Sequence, residues 1–428
     1  MTKGRTPKQK QPTTNGAAPP TPKLRVLIIS DAPFATSGYA VQAAQIGPML
    51  RDLGHDVAYV AAFGLHGAPM PWNGFTVFPG GMDGFGNDAI KPAVQQFQPD
   101  VVITLKDLWV YQPQSWQVPV RWVPLVPVDH DPIPEPLISM MRQHVYEPIA
   151  YSQFGRDQLR NAGFSPCYAP HTYNPADYFP VADAKAKMNI APEIFAIGMV
   201  AVNRGSDPSR KAWPQNIEAF ARYSRVNPNA RLFLHTHAGE HGREGAVNLP
   251  GMLQQLGINH LVNFIDQDAY DRGLPIEYMR TFYSAMDVVN CVSIGEGFGV
   301  PTLEAQACGT PVIVGDWTAS GELLFAGVAI DKQDAFAYYD KQMSYVFLPQ
   351  PDAVAVAFDT MQKRLQISGE RERLQAKAVA GAAPYAMDAV RDTYWKPTMD
   401  KLLRRIATEH QRGVARIVEP RSVLEVVK

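Results

Sequence analysis

The sequence predicts two successive α/β domains, each a parallel sheet covered by helices on both faces. Three observations carry this expectation. Runs such as 24–30 and 195–202 are apolar almost throughout, which suits strands buried on both faces rather than one. Helical stretches separate these runs, as parallel pairing requires. The alternation halts in a turn-rich stretch at 169–180 and then restarts, and a chain of 428 residues is long enough for two cores.

The elements follow in order. The run at 24–30 is the first strand. A loop holding Thr36, Ser37, Gly38 and Tyr39 leads to a helix near 40–53, which Gly54 ends, and 56–62 is the next strand. Further strands are expected at 100–105, 121–128 and 148–152. Pro124 and Pro127 assign the run at 121–128 to a sheet edge or an irregular strand. The linker is placed near 180–193, giving domains at 24–185 and 186–385. The second domain begins with a strand at 195–202 and a helix near 213–223. Strands at 231–235 and 261–265, a helix at 276–285, a strand at 287–293, the helix that stops at Gly309 and a strand at 311–315 follow. Beyond Ile330 the pattern is helical, at 353–366, 369–380 and 388–408, and residues 386–412 form a C-terminal helix.

Residues 1–23 hold five basic residues, five prolines and no acid, and 413–428 form a second tail. The first tail reads as a disordered solubilising segment, with a docking arm for an acidic partner as the alternative. It lacks the apolar core of a secretory signal. Lys plus Arg number 40 and Asp plus Glu 41, so the balance of charge gives no general pull toward nucleic acid. No apolar run is long enough to span a bilayer. Cys167, Cys291 and Cys308 are widely spaced in apolar surroundings. They are expected as buried thiols in a reducing, cytoplasmic compartment, without metal-ligand spacing.

The richest stretch is 293–311. An apolar strand ends in Ser293-Ile-Gly-Glu-Gly-Phe-Gly299, and a helix follows in which Pro301 suits the first turn and Gly309 the stop. Uncrowded amides at a helix N-terminus make an anion site. Glu296 and Glu304 frame that site with acceptors. The combination suits a ligand bearing both phosphates and hydroxyls, such as a nucleotide sugar. A hydrolase pair fits less well. Retaining glycosidases hold carboxyls roughly 5–5.5 Å apart, whereas eight helical residues rise about 12 Å.

This stretch, Glu296-Gly-Phe-Gly-Val-Pro-Thr-Leu-Glu-Ala-Gln-Ala-Cys-Gly-Thr-Pro-Val312, resembles the signature of family 4 of the retaining glycosyltransferases, also called group 1. The resemblance spans roughly 24–410. It implies the GT-B architecture, two Rossmann-like doubly wound domains facing a cleft. The N-terminal domain would take the acceptor, the C-terminal domain the donor, and the last helix would pack back on the N-terminal domain. It further implies that Glu296 contacts the donor sugar hydroxyls and Glu304 the ribose. The backbone of Gly297, Phe298, Gly299, Val300, Pro301 and Thr302 would hold sugar and diphosphate.

The loop at 203–213 offers cations for a departing diphosphate, whose charge grows in the transition state. Arg204 and Lys211 match the family's pair, with Arg210 able to replace Lys211. Ser37 and Gly38 resemble the glycine loop that faces the donor phosphates, although many relatives have two adjacent glycines there. His130 matches a family position near the donor sugar and acceptor, with a structural histidine as the alternative.

Asp129 and Asp131 formally spell a D-x-D metal motif. It is discounted because the family resembled is usually metal-independent, so neither metal nor cofactor is expected. His235, His237 and His241 lack zinc spacing. His171 and Asn174 read as structural, and Glu322 as a loop or helix-start contact. The expected reaction is transfer of a sugar from a UDP- or GDP-sugar to a hydroxyl of a glycan, lipid, protein or modified nucleic acid. A glycan phosphorylase, a sugar-nucleotide epimerase or a non-catalytic nucleotide-sugar-binding protein remains the alternative.

Overall fold

A computed structural model describes residues 23–204, 208–239 and 246–412. The expectations for the N-terminal tail, for 413–428 and for His241 therefore fall outside the described residues, apart from Lys23.

The first sheet has eight strands: β1 (Arg25–Asp31), β2 (Asp56–Phe63), β3 (Met70–Trp72), β4 (Phe75–Phe78), β5 (Val101–Thr104), β6 (Trp122–Val126), β7 (Ile149–Ala150) and β8 (Cys167–Tyr168). Their order is β3-β4-β2-β1-β5-β6-β7-β8, and only β3 runs antiparallel to its neighbour. Burial on both faces explains the continuous apolar runs. Val26 and Ile28 join one core with Tyr59 and Ile103, while Leu27 and Ile29 join another with Val60 and Val102.

β6 lies inside this sheet, not at its edge. The Arg121 carbonyl accepts from Val102 N–H on the β5 side, and the Trp122 carbonyl accepts from Tyr146 N–H on the other, at 2.9 Å each. Pro124, in phase with Trp122, turns its nitrogen away from β5. Pairing with β7 starts only at Leu125, so the missing N–H breaks no ladder bond.

The second sheet has six strands: β9 (Phe195–Val200), β10 (Ala230–His235), β11 (Val262–Phe264), β12 (Val288–Asn290), β13 (Val312–Asp316) and β14 (Gly327–Asp331), in the order β11-β10-β9-β12-β13-β14, all parallel. A short helix, Ala184–Lys187, occupies the stretch read as linker. An antiparallel hairpin that the sequence reading left unassigned follows β14: β15 (Ala335–Tyr339) and β16 (Tyr345–Pro349).

The helices Pro351–Leu365 and Glu370–Ala382 close the second domain. The chain then returns to the first. Helix Lys396–Gln411 follows a π turn at Arg391–Trp395, next to Pro397, whose missing N–H cannot sustain regular helical bonding. Buried Glu147 receives Lys401 at 2.6 Å and Arg405 at 3.0 Å, and Arg121 pairs with Glu409 at 3.1 Å. These ion pairs and buried Met399, Leu402 and Ile406 fix the last helix to the N-terminal sheet.

In each sheet the strand order reverses beside the first strand, between β1 and β5 and between β9 and β12. Ligands of open α/β sheets bind outside the strand carboxyl ends at such points. Here the two sets of carboxyl-end loops meet.

Candidate active site

The central charge cluster assembles from both sides of one crossover. Lys211 precedes helix Trp213–Ser224, where Asn216 holds the carbonyls of Lys211 and Val292 at 3.0 Å each. That side chain therefore ties the cation loop to the end of β12. Glu296 lies on the turn after β12. Its Oε1 takes the Lys211 ammonium in a short ion pair, and its Oε2 takes Arg210 at 3.3 Å. Burial opposes ionisation of Glu296, but the charges of Lys211 and Arg210 hold its carboxyl below the usual range. Burial and the adjacent Arg210 pull the Lys211 ammonium below an ordinary lysine. Arg204 stands exposed at the start of the loop, so the structure brings Arg210 rather than Arg204 to Lys211 and Glu296.

Helix Val300–Ala307 begins here. Gly299 takes φ 104°, which a side chain would strain, and Pro301 fills the first turn. Lys211, Cys291, Ser293, Glu296, Pro301 and Thr302 line a cleft of about 310 Å³, adjoining solvent included. Its wall thus offers a carboxylate, cations and a helix N-terminus together.

Glu304 is placed otherwise than expected. It is buried outside the wall of that cleft, and the Tyr283 hydroxyl donates to its Oε2 at 2.8 Å. Burial pushes its carboxyl up to about 7, against the lowering effect of the Tyr283 and Tyr178 hydroxyls. In this structure it ties two helices rather than facing a ligand.

Phe298 is likewise buried, packed on Tyr151, His171 and Tyr385. His171 stacks on Tyr151 at 4.2 Å, and burial lowers its imidazole to about 3, so it is a neutral packing residue.

The N-terminal domain supplies the facing wall. Ser37 caps helix Gly38–Asp52, accepting from Ala40 N–H at 3.1 Å while donating to Asp31. Gly38 is exposed, with open space where a side chain would begin. Lys106, after β5, pairs with buried Asp31. Burial and nearby Asp129 raise the Asp107 carboxyl, which Arg210 opposes. His130 is buried, with Nδ1 2.6 Å from Asp129 and Nε2 3.1 Å from Asp340.

Asp129 and Asp131 do not converge as a metal pair. The first is bonded to His130, and the second takes Lys332 at 2.7 Å and Gln158 at 3.0 Å. Among the described residues, no three His, Cys, Asp or Glu side chains gather as metal ligands. Half-buried His235 packs on Tyr270 and Phe282, and desolvation lowers it to about 4. No described helix is long and apolar enough to cross a membrane.

Glycines set how closely the two walls approach. A side chain at Gly295 would begin 2.2 Å from the Asp129 carbonyl, and one at Gly297 2.7 Å from the Tyr151 hydroxyl. Glu322, read as a helix-start contact, accepts from Gln153 and Phe154 N–H at 3.0 Å each. It caps a helix of the opposite domain. The sequence reading passed over Asp31, Lys106, Asp107, Tyr151 and Gly295. Lys106 and Asp107 directly follow a buried parallel strand, which was the available signal.

Residues 200–335 match the family described as glycosyl transferases group 1. D-inositol 3-phosphate glycosyltransferase of Corynebacterium urealyticum is 35% identical over 102 residues, 23% of each chain. Mannosylfructose-phosphate synthase of Agrobacterium fabrum is 29% identical over 187 residues, 42% of this chain and 38% of the relative. The aligned part thus spans about a quarter of the first relative's length and well under half of the second's. Sucrose-phosphate synthase of Thermosynechococcus elongatus superimposes with a TM-score of 0.68 at 18% identity, over 90% of this chain and 99% of that one. Anabaena Alr3699/HepE, solved with UDP and glucose, superimposes with 0.63 at 15% identity, over 88% and 100%. The architecture is therefore GT-B.

Proposed function

We propose that the protein, whose residues 200–335 match the group 1 glycosyl transferases, moves a sugar from a nucleotide-diphosphate sugar to a hydroxyl acceptor with retention of configuration. The observation that carries this reading is the meeting of Lys211 and Arg210 on Glu296, beside the free N-terminus of helix Val300–Ala307. The donor diphosphate lies against those amides and draws the two cations. Glu296, relieved of part of its ion pairing, receives donor sugar hydroxyls. Charge that develops on the leaving diphosphate is met by cations already in place, so they act more strongly in the transition state than in the ground state.

The acceptor hydroxyl enters from the N-terminal wall, past the Ser37–Gly38 loop, bonds to the sugar carbon on the face that the diphosphate leaves as the sugar–phosphate bond breaks, and gives its proton to the departing diphosphate oxygen. No described residue is placed as a covalent nucleophile in this scheme, and no metal has a role in it. The name of HepE's ligand supports a UDP-sugar as the first donor to try. Thermal shift against UDP-, GDP- and ADP-sugars tests the reading. A donor at 100 times its Kd stabilises by about 2.7 kcal/mol. A rise in melting temperature with one donor series supports it; no rise with any of them counts against it.

A further inference from the structure

The hairpin β15–β16 belongs to the C-terminal domain, yet its tip is bonded to the loop after β6 in the N-terminal domain. Asp131 N–H donates to the Tyr345 carbonyl at 3.1 Å. The Ser344 hydroxyl donates to the Pro132 carbonyl. Lys332, just before the hairpin, pairs with Asp131 at 2.7 Å. Asp340 reaches His130 Nε2 at 3.1 Å. Asp340 is itself fixed: Gln342 N–H donates to its Oδ1 at 2.8 Å, and its own N–H donates to the Ser344 carbonyl at 2.9 Å.

Both ring nitrogens of His130 thus face a carboxylate oxygen, from Asp129 on its own loop and from Asp340 across the domain boundary. An imidazolium satisfies both with N–H donors. A neutral ring has one donor, and its lone pair would face a carboxylate. The other charges around this ring are Asp131 with Lys332, and Arg210, which acts on Asp129.

We propose that Asp340 is a positioning residue: the hairpin carries it across the cleft to hold His130 as a doubly donating cation in one ring orientation. The proposal rests on the reading of His130 as a residue beside the transferred sugar. It makes His130 a fixed positive charge rather than a base for the acceptor proton. It also makes the histidine's final state depend on closure of the two domains, because one of its two carboxylates arrives only with the second domain.

The test joins a spectroscopic and a kinetic arm on the full chain. Histidine ring signals are titrated by NMR in wild type, Asp340→Asn and Asp340→Glu. In Asp340→Asn the His130 midpoint is expected to fall toward that of an ordinary histidine, and in Asp340→Glu to stay near wild type. With the donor identified by thermal shift, kcat of Asp340→Asn is expected to fall about 10- to 100-fold, the scale of a misoriented group, while donor KM changes less than about threefold. Asp340→Glu is expected to recover part of kcat. An unmoved His130 midpoint in Asp340→Asn overturns the proposal alone. Wild-type turnover by His130→Ala overturns the role of His130 and the proposal with it, but leaves the donor-site reading standing.

Discussion

Replacing Gln306 by Met keeps the volume of a fully buried side chain and deletes its polar bonds. The amide sits on helix Val300–Ala307 and makes four contacts. Nε2 donates to the Thr302 carbonyl at 2.9 Å and to the Leu323 carbonyl at 2.6 Å, and Oε1 accepts from Phe325 and Ala326 N–H at 2.9 Å each. One side chain therefore joins the helix that begins at the glycine turn to the loop at 319–326. The Thr302 carbonyl remains in its helix, and Phe325 N–H still donates to the Leu323 carbonyl at 3.1 Å, so the variant strands the Ala326 N–H and removes the second bonds of the other groups. Each buried group left without a partner costs about 1–3 kcal/mol. That one stranded group and the loss of the other bonds bring the expected loss to about 3 kcal/mol. The assay is urea unfolding of the full chain, followed by tryptophan fluorescence and far-UV dichroism together, because two domains need not unfold as one. Gln306→Glu gives an internal check. Its ionised oxygens accept both N–H groups but face two carbonyls, so it should be less stable at pH 8 than at pH 5. A loss below about 1 kcal/mol in Gln306→Met would refute the reasoning, since that is the worth of one ordinary hydrogen bond.

Three further expectations can be checked separately. The His130 pKa in the folded chain, raised to about 9 by Asp129 and Asp340 against the effect of burial, exceeds the ordinary 6.5. Its stabilisation is thus complete below pH 6.5 and lost as pH rises through 9. At about 1.36 kcal/mol per pH unit this is at most roughly 3 kcal/mol, and His130→Gln should flatten melting temperature across that window. Glu304, raised by burial to about 7 from 4.5, likewise stabilises the fold below pH 4.5 and loses that contribution as pH rises through 7. Denaturant unfolding should show Glu304→Gln losing roughly 3 kcal/mol less than wild type between pH 4.5 and 8. Gly295→Ala sets a methyl against the Asp129 carbonyl, so small-angle scattering should find a wider two-domain particle, and an unchanged scattering profile would refute the close approach.

Much of the fold was legible because buried parallel strands advertise themselves. The runs holding β1, β5, β9 and β12 are apolar on both faces. The glycine turn with Pro301 marked the following helix within a residue. Short β8 gave too few residues for a pattern, and β6 was misplaced because its prolines were read without knowing which side of the strand their nitrogens faced. Lys211 and Glu296 could be named from spacing, and they meet. Arg210 displaced Arg204 because the turn geometry of a loop, which decides what each side chain faces, leaves no periodic trace. Glu304 belonged to the right motif, but its Tyr283 partner lies 21 residues away, beyond any local pattern. The hairpin contact on His130 is a meeting of positions 210 residues apart, visible only once both domains are folded.

The central claim is that Lys211 serves a leaving diphosphate held at the end of β12. Its most direct test is nucleoside-diphosphate release from nucleotide sugars by wild type and Lys211→Ala, side by side and matched for folded content. The account predicts release from one donor class by wild type and a loss of at least about 100-fold in the variant. Equal rates in the two proteins, or no release by wild type from any donor it binds, would contradict it.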